Sequence, residues 1–178
     1  MARLTLNILF LCTNNSTRSI LAEAILNHLG AGRVHGFSAG SHPRGTPNPL
    51  ALKFLERSGL PTAGLRSKSW DEFALPEAPV MDLVITVCDQ AAGEVCPIWP
   101  GGPIKAHWGV GKSTTKSAAS EEEILVSMAF MYQQLESRIR QFLDLPLESM
   151  DAATLKVELN RIGHIELNGI PFKEETDS

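Results

Sequence analysis

Leu4-Thr5-Leu6-Asn7-Ile8-Leu9-Phe10-Leu11-Cys12-Thr13-Asn14-Asn15-Ser16-Thr17-Arg18-Ser19-Ile20-Leu21-Ala22-Glu23-Ala24-Ile25-Leu26-Asn27-His28-Leu29-Gly30 is the stretch that decides the fold. Residues 4–11 form a nearly continuous apolar run of strand length, the pattern of a strand buried in a parallel sheet. Residues 12–17 are polar and turn-forming. From Arg18 the apolar residues fall at 21, 25 and 29 with 22 and 26 beside them, which predicts an amphipathic helix stopped by Gly30. Strand, polar turn, helix is the opening of a βαβ unit.

The same alternation continues along the chain. Arg33 to Ser38 reads as a second strand broken by Ala39-Gly40. Residues 50–58 read as a helix with Pro47 and Pro49 at its start and Gly59 past its end. Met81 to Val87 is a β-branched strand ending at Cys88, and Ile104 to Trp108 a weaker one after a Pro/Gly-rich stretch. A long helix is predicted over Glu121 to Leu143 and a shorter one over Asp151 to Ile162. Met128, Phe130, Met131 and Tyr132 read as core packing of the long helix, Glu121, Glu122 and Glu123 as its solvated first turn, and Lys173 to Ser178 as a frayed acidic tail. Such alternation implies an α/β layer fold with a parallel sheet. In that architecture the turns at 12–19, 38–41, 88–96 and 107–115 share the carboxyl edge of the sheet, where sites form.

The 178 residues suffice for one compact domain with a proper core. With 43% hydrophobic and 20% charged residues the composition is that of a soluble globular chain. Sixteen basic against 20 acidic residues give a net charge of −4, so no basic excess drives nucleic-acid binding. No stretch reaches the length of a membrane helix, and the apolar start lacks the charged flank and small cleavage residues of a signal peptide. The three cysteines, Cys12, Cys88 and Cys96, are an odd and sparse set, which favours a reducing compartment; the reading is a cytoplasmic protein with no membrane or nucleic-acid partner. Histidines 28, 35, 42, 107 and 164 have no metal-ligand spacing.

The turn itself suggests chemistry. Between Cys12 and Arg18, residues Thr13, Asn14, Asn15, Ser16 and Thr17 are enough to arch a backbone whose N–H groups point inward, an anion nest backed by the positive end of the following helix. Arg18 offers two parallel donors to two oxygens of a tetrahedral oxyanion. Cys12 at the base of the nest is expected to have a depressed pKa and to act as a thiolate nucleophile, with Ser19 hydrogen-bonding the sulfur. Asn14 and Asn15 tolerate left-handed backbone. A buried core cysteine beside an exposed arginine is the plainer reading of a bare Cys-x5-Arg; the position between strand and helix favours the anion site.

Cys12 to Ser19 followed by Ile-Leu-Ala-Glu-Ala resembles the phosphate-binding loop of low-molecular-weight protein tyrosine phosphatases, and more closely that of the thioredoxin-coupled arsenate reductases built on the same fold. Ser38-Ala39-Gly40, Ser67-Lys68-Ser69-Trp70-Asp71, Val87-Cys88-Asp89, Cys96-Pro97-Ile98-Trp99-Pro100 and His107-Trp108-Gly109 extend the likeness to about residue 145. The resemblance implies a single domain over 1–145 with a four-stranded parallel sheet of order 2-1-3-4 flanked by helices, followed by a helical extension and tail over 146–178. It implies arsenate as substrate, with phosphate or sulfate as mimics. Cys12 would attack arsenic, Cys88 would attack Cys12, and Cys96 would carry the disulfide to thioredoxin, or to glutathione with glutaredoxin; two small core hydrophobes are the plainer reading of Cys88 and Cys96. The alternatives are a phosphotyrosine-type phosphatase and a catalytically weak oxyanion-binding module.

Three further features bear on the likeness. Relatives carry an Asp-Pro general acid after His-Trp-Gly, whereas residues 109–115 here, Gly-Val-Gly-Lys-Ser-Thr-Thr, contain no carboxylate, which weighs against phosphatase chemistry. In some relatives a potassium ion sits beside the loop. The matching Asn15, Glu23, Ser38 and Asp71 are oxygen donors of the right type, though they serve equally as hydrogen-bond partners of the loop. Ala106 to Ser113 nearly matches a nucleotide P-loop, but lacks the strong strand before it and the immediate helix after it; Lys112 would instead add positive potential at the site mouth.

Overall fold

The computed structural model describes residues 5–30, 32–88, 99, 101–110 and 120–164. The elements run β1 (Leu6–Cys12), α1 (Arg18–Gly30), β2 (Val34–Gly40), α2 (Pro49–Arg57), a 3-10 helix (Trp70–Ala74), β3 (Leu83–Thr86), β4 (Ile104–His107), α3 (Glu121–Leu143) and α4 (Ala152–Gly163). The strands form one parallel sheet in the order β2-β1-β3-β4, the expected topology. β1 is central because it is apolar on both faces. Its even residues, Ile8, Phe10 and Cys12, join the main core with α1, α2, α3 and α4; its odd residues, Leu9 and Leu11, face a smaller cluster with Trp70, Phe73, Met81 and Trp99.

The register places the functional edge. Cys12 pairs with Gly40, Leu11 with Thr86, and Thr86 with His107, so the carboxyl ends of all four strands lie side by side. The turns after them therefore converge as the alternation required.

Two expectations are corrected and one element is added. α1 is not amphipathic: Ile20 to Leu26 are all buried, Glu23 included, because the helix lies between the sheet and α3 rather than at the surface. Phe130 on α3 is exposed, whereas Met128 and Met131 are buried and Tyr132 packs on Phe54 from a half-buried position. The 3-10 helix was not anticipated; Ser69 caps it by accepting from Asp71 N–H at 3.2 Å, and its Trp70 and Phe73 cover the sheet's second face. α3 begins as predicted, with Ser120 accepting from Glu123 N–H and the three glutamates exposed.

α4 packs into the main core. Leu155, Leu159 and Ile162 are buried, and the Leu159 carbonyl accepts the indole N–H of Trp108 at 2.9 Å. Gly163 lets the helix end approach the His107 carbonyl, where a β-carbon would collide. Trp108, wholly buried, in turn packs against Phe10 and Phe142. Truncating Leu159 to alanine is expected to lower unfolding free energy by about 2–5 kcal/mol, the cost of a core cavity. A urea midpoint unchanged from wild type would show that α4 contributes nothing to the core.

Candidate active site

The loop from Thr13 to Thr17 is held from outside by its carbonyls. Thr13 C=O accepts from His42 N–H, Asn14 C=O from Arg44 N–H and the Ser67 hydroxyl, and Ser16 C=O from Asn48 N–H. Thr17 C=O accepts from Leu21 N–H as α1 begins. Carbonyls turned outward are what an anion nest of inward amides requires. Asn15 has φ +45°, the one left-handed residue other than glycine among those described. The special position is thus Asn15, not Asn14, whose side chain is exposed.

Asn15 keeps this conformation because its side chain is saturated. Its amide nitrogen donates to Ser19 Oγ at 2.9 Å and to Ser38 Oγ at 3.0 Å, and its oxygen accepts from Lys68 N–H at 2.8 Å. Ser19 is wholly buried and enters the site as this partner of Asn15. Gly40 closes the loop's back: a β-carbon there would collide with the Thr13 carbonyl, and would also lie 2.9 Å from Asn15 N. Nothing but glycine fits where β2 passes behind the loop.

Cys12 sits at the end of β1 on the loop's floor, 5% exposed, and Cys88, 3% exposed, stands just beyond the end of β3. Neither is in a disulfide; Val87 N–H donates to the Leu11 carbonyl at 2.8 Å, setting the two strand ends side by side, Thr13 Oγ1 lies 3.6 Å from Cys88 Sγ, and the Cys88 thiol is near enough to act on the Cys12 sulfur. Neighbouring strands thus bring the two sulfurs together. The expectation that the loop alone depresses the Cys12 pKa is corrected: contact with Cys88 and burial push the thiol up, outweighing the lowering by Arg18 and by Asn14 N–H. Two touching sulfurs resist ionising together, so the pair retains one proton after the first is lost. Arg18 and Asn14 favour the form with the negative charge on Cys12.

Arg18 starts α1, and its Nη1 donates to the Val110 carbonyl at 3.3 Å, placing the guanidinium between the loop and the segment after β4. Arg138 of α3 holds that segment from below, donating to the Gly109 carbonyl at 2.7 Å; burial pushes its pKa down to about 10. Sequence reasoning missed Arg138, because a lone arginine on an apolar helix face carries no signal of which loop it reaches.

The proposed potassium donors are partly brought together. Ser38 Oγ donates to Glu23 Oε1 at 3.2 Å, and both are buried with Asn15. Asp71 lies on the exposed 3-10 turn, outside this hydrogen-bonded set. Lys68, also buried, puts its ammonium 3.7 Å from Glu23 Oε1. With the Asn15 oxygen taken by Lys68 N–H and Glu23 already facing a cation, the donor set does not fit an added potassium ion. Cys96, Lys112 and the 111–115 stretch in place of the Asp-Pro acid lie outside the described residues.

Residues 7–156 match the family model of the low molecular weight phosphotyrosine protein phosphatases. The chain is 33% identical over 135 residues to an arsenate reductase of Halalkalibacterium halodurans, covering 76% of this chain and 93% of that protein. It is 35% identical over 136 residues to an arsenate reductase of Bacillus licheniformis, with the same coverage of 76% and 93%. A solved thioredoxin-dependent arsenate reductase of Corynebacterium glutamicum superposes with TM-score 0.53 and 27% identity, covering 79% of this chain and 64% of that one.

Proposed function

Because the chain belongs to the low molecular weight phosphotyrosine protein phosphatase family, we propose that it uses the family's oxyanion loop to reduce arsenate to arsenite. The observation that carries this reading is the contact between Cys12 and Cys88 beneath the loop. A phosphatase needs one nucleophile and an acid for the leaving group; two sulfurs in contact are equipped to form a disulfide. The relatives named arsenate reductase support the same substrate.

In this reading arsenate enters the loop against the inward amides and the Arg18 guanidinium. The Cys12 thiolate attacks arsenic(V), forming an S–As bond as one arsenate oxygen leaves as water with protons from solvent. Cys88, as thiolate, then attacks the Cys12 sulfur. The S–As bond breaks, its electron pair stays on arsenic, and arsenite leaves as arsenic(III) while Cys12 and Cys88 are oxidised to a disulfide. Both sulfurs are buried, so a protein reductant needs a third to reach them. Cys96 takes that role by attacking Cys88, which frees Cys12 and presents a Cys88–Cys96 disulfide to thioredoxin, or to glutathione with glutaredoxin. Ser19 supports Cys12 through the loop, and the reaction belongs in the cytoplasm, where such reductants are found. No helix among the described residues is long and apolar enough to cross a membrane.

The test is arsenate-dependent NADPH oxidation with thioredoxin and its reductase, run beside glutathione with glutaredoxin, and beside hydrolysis of an aryl phosphate. Turnover with one reductant and slow phosphate hydrolysis support the proposal. Rapid aryl phosphate hydrolysis that survives loss of Cys88, with no arsenite formed, would replace it with a phosphatase.

A further inference from the structure

Glu23 and Lys68 form a buried ion pair that the reaction does not use. Their surroundings close into a ring. The Lys68 ammonium faces Glu23; Glu23 accepts from the Ser38 hydroxyl; Ser38 accepts from the Asn15 amide; and the Asn15 oxygen accepts from the backbone N–H of Lys68 itself. The Lys68 carbonyl accepts from Gly40 N–H at 2.9 Å, and its ammonium also donates to the Arg66 carbonyl at 3.0 Å. Every member that touches the loop does so through Asn15, its left-handed residue.

We propose that Lys68 is a positioning residue for the oxyanion loop: its ammonium is a tethered internal cation that holds Glu23 ionised and so fixes Ser38 and Asn15, in place of a monovalent cation taken from solution. This rests on the reading of residues 12–18 as an oxyanion loop, not on arsenate reduction.

The reasoning is electrostatic. A buried carboxylate stripped of its partner is costly and must be protonated or recruit another cation. Burial pushes Glu23 up and Lys68 down, and each is pulled back by the other's charge. If Glu23 becomes protonated, its proton competes with the Ser38 hydroxyl for partners, the polarity of the ring is lost, and Asn15 loses the restraint on its strained backbone. The pair is reachable: Glu23 and Lys68 line a cavity of about 610 Å³ with Asn27, Phe37, Leu65 and Phe73. A small ion could enter there if the ammonium were removed.

The experiment uses full-length Lys68→Met and measures phosphate protection of Cys12 against alkylation, with melting temperature beside it, in potassium, sodium and choline chloride at equal ionic strength. Phosphate affinity of the wild type is expected to be the same in all three salts. Lys68→Met is expected to bind phosphate about 10–100-fold more weakly in choline, as when a residue that orients a site's ligands is lost, with potassium restoring most of the loss. Glu23→Gln/Lys68→Met, which leaves no buried charge, is expected to be weak and indifferent to the cation; it also serves if the single variant does not fold. A wild type that needs potassium, a Lys68→Met loss equal in all salts, or a double variant that gains potassium dependence would overturn the proposal. Absence of phosphate protection in the wild type would instead refute the oxyanion-loop reading, and leaves the cation dependence of melting to decide the role of Lys68.

Discussion

Cys88→Ser is expected to abolish arsenate turnover, by at least about 10³-fold, while making Cys12 more reactive toward alkylation at neutral pH. The two effects have one cause. Cys88 is the largest influence holding the Cys12 thiol up, since two sulfurs in contact cannot readily ionise together. A serine hydroxyl at 88 stays protonated and can donate to the Cys12 sulfur without competing for its charge, which favours the Cys12 thiolate. The iodoacetamide rate against pH should therefore shift to lower pH in the variant. Without the second sulfur, however, no other thiol among the described residues can take Cys12 off arsenic, and the enzyme should stall as an adduct after one equivalent. Unchanged turnover, or an alkylation profile that moves to higher pH, would break the link between the pair and the chemistry.

Arg18→Ala is expected to lower kcat/KM for arsenate by about 10²–10⁴-fold. Two charge-assisted hydrogen bonds at about 1.5–3 kcal/mol each give about 3–6 kcal/mol, and each 1.4 kcal/mol is tenfold. The loss should fall on both parameters, because in the proposed reaction the guanidinium would face the oxyanion in the ground state and in the transition state, where charge on oxygen is redistributed. Arg18→Lys restores the charge but not the fork, and should recover only a minor part. Since Arg18 also donates to the Val110 carbonyl, thermal melting should be followed in parallel; that half-buried bond is single and long, at 3.3 Å, so the melting temperature should move little.

How far the fold could be read depended on local signals. Residues 4–30 announced a buried strand, a polar arch and a helix, and the repeated alternation was enough for a parallel sheet with its site at the carboxyl edge. The adjacency of Cys12 and Cys88 was legible only in part: both close apolar strands, but that β1 and β3 are neighbours is a fact of the sheet. What could not be read was long-range. The continuous burial of α1 from Ser19 to Leu26 depends on α3 packing over it about 100 residues later, and a helical period cannot report a second contact face. The 3-10 helix rests on one Ser69 cap and on aromatic burial against the sheet's second face. Lys68 stood in a quoted segment, yet its charge gave no sign that it would fold inward to Glu23, 45 residues before it in the chain; lysines are almost never buried unless paired. The sign of the Cys12 shift was misjudged because the amides and Arg18 are local, whereas the sulfur that opposes them arrives from another strand.

The most direct test of the central claim is a disulfide map after a single turnover. A Cys96→Ser variant, fully reduced and given one equivalent of arsenate without any reductant, should release about one arsenite per chain, and peptide mass spectrometry should find Cys12 joined to Cys88. Arsenite release with both cysteines still free, or no arsenite at all while Cys12 remains alkylatable, would contradict the account.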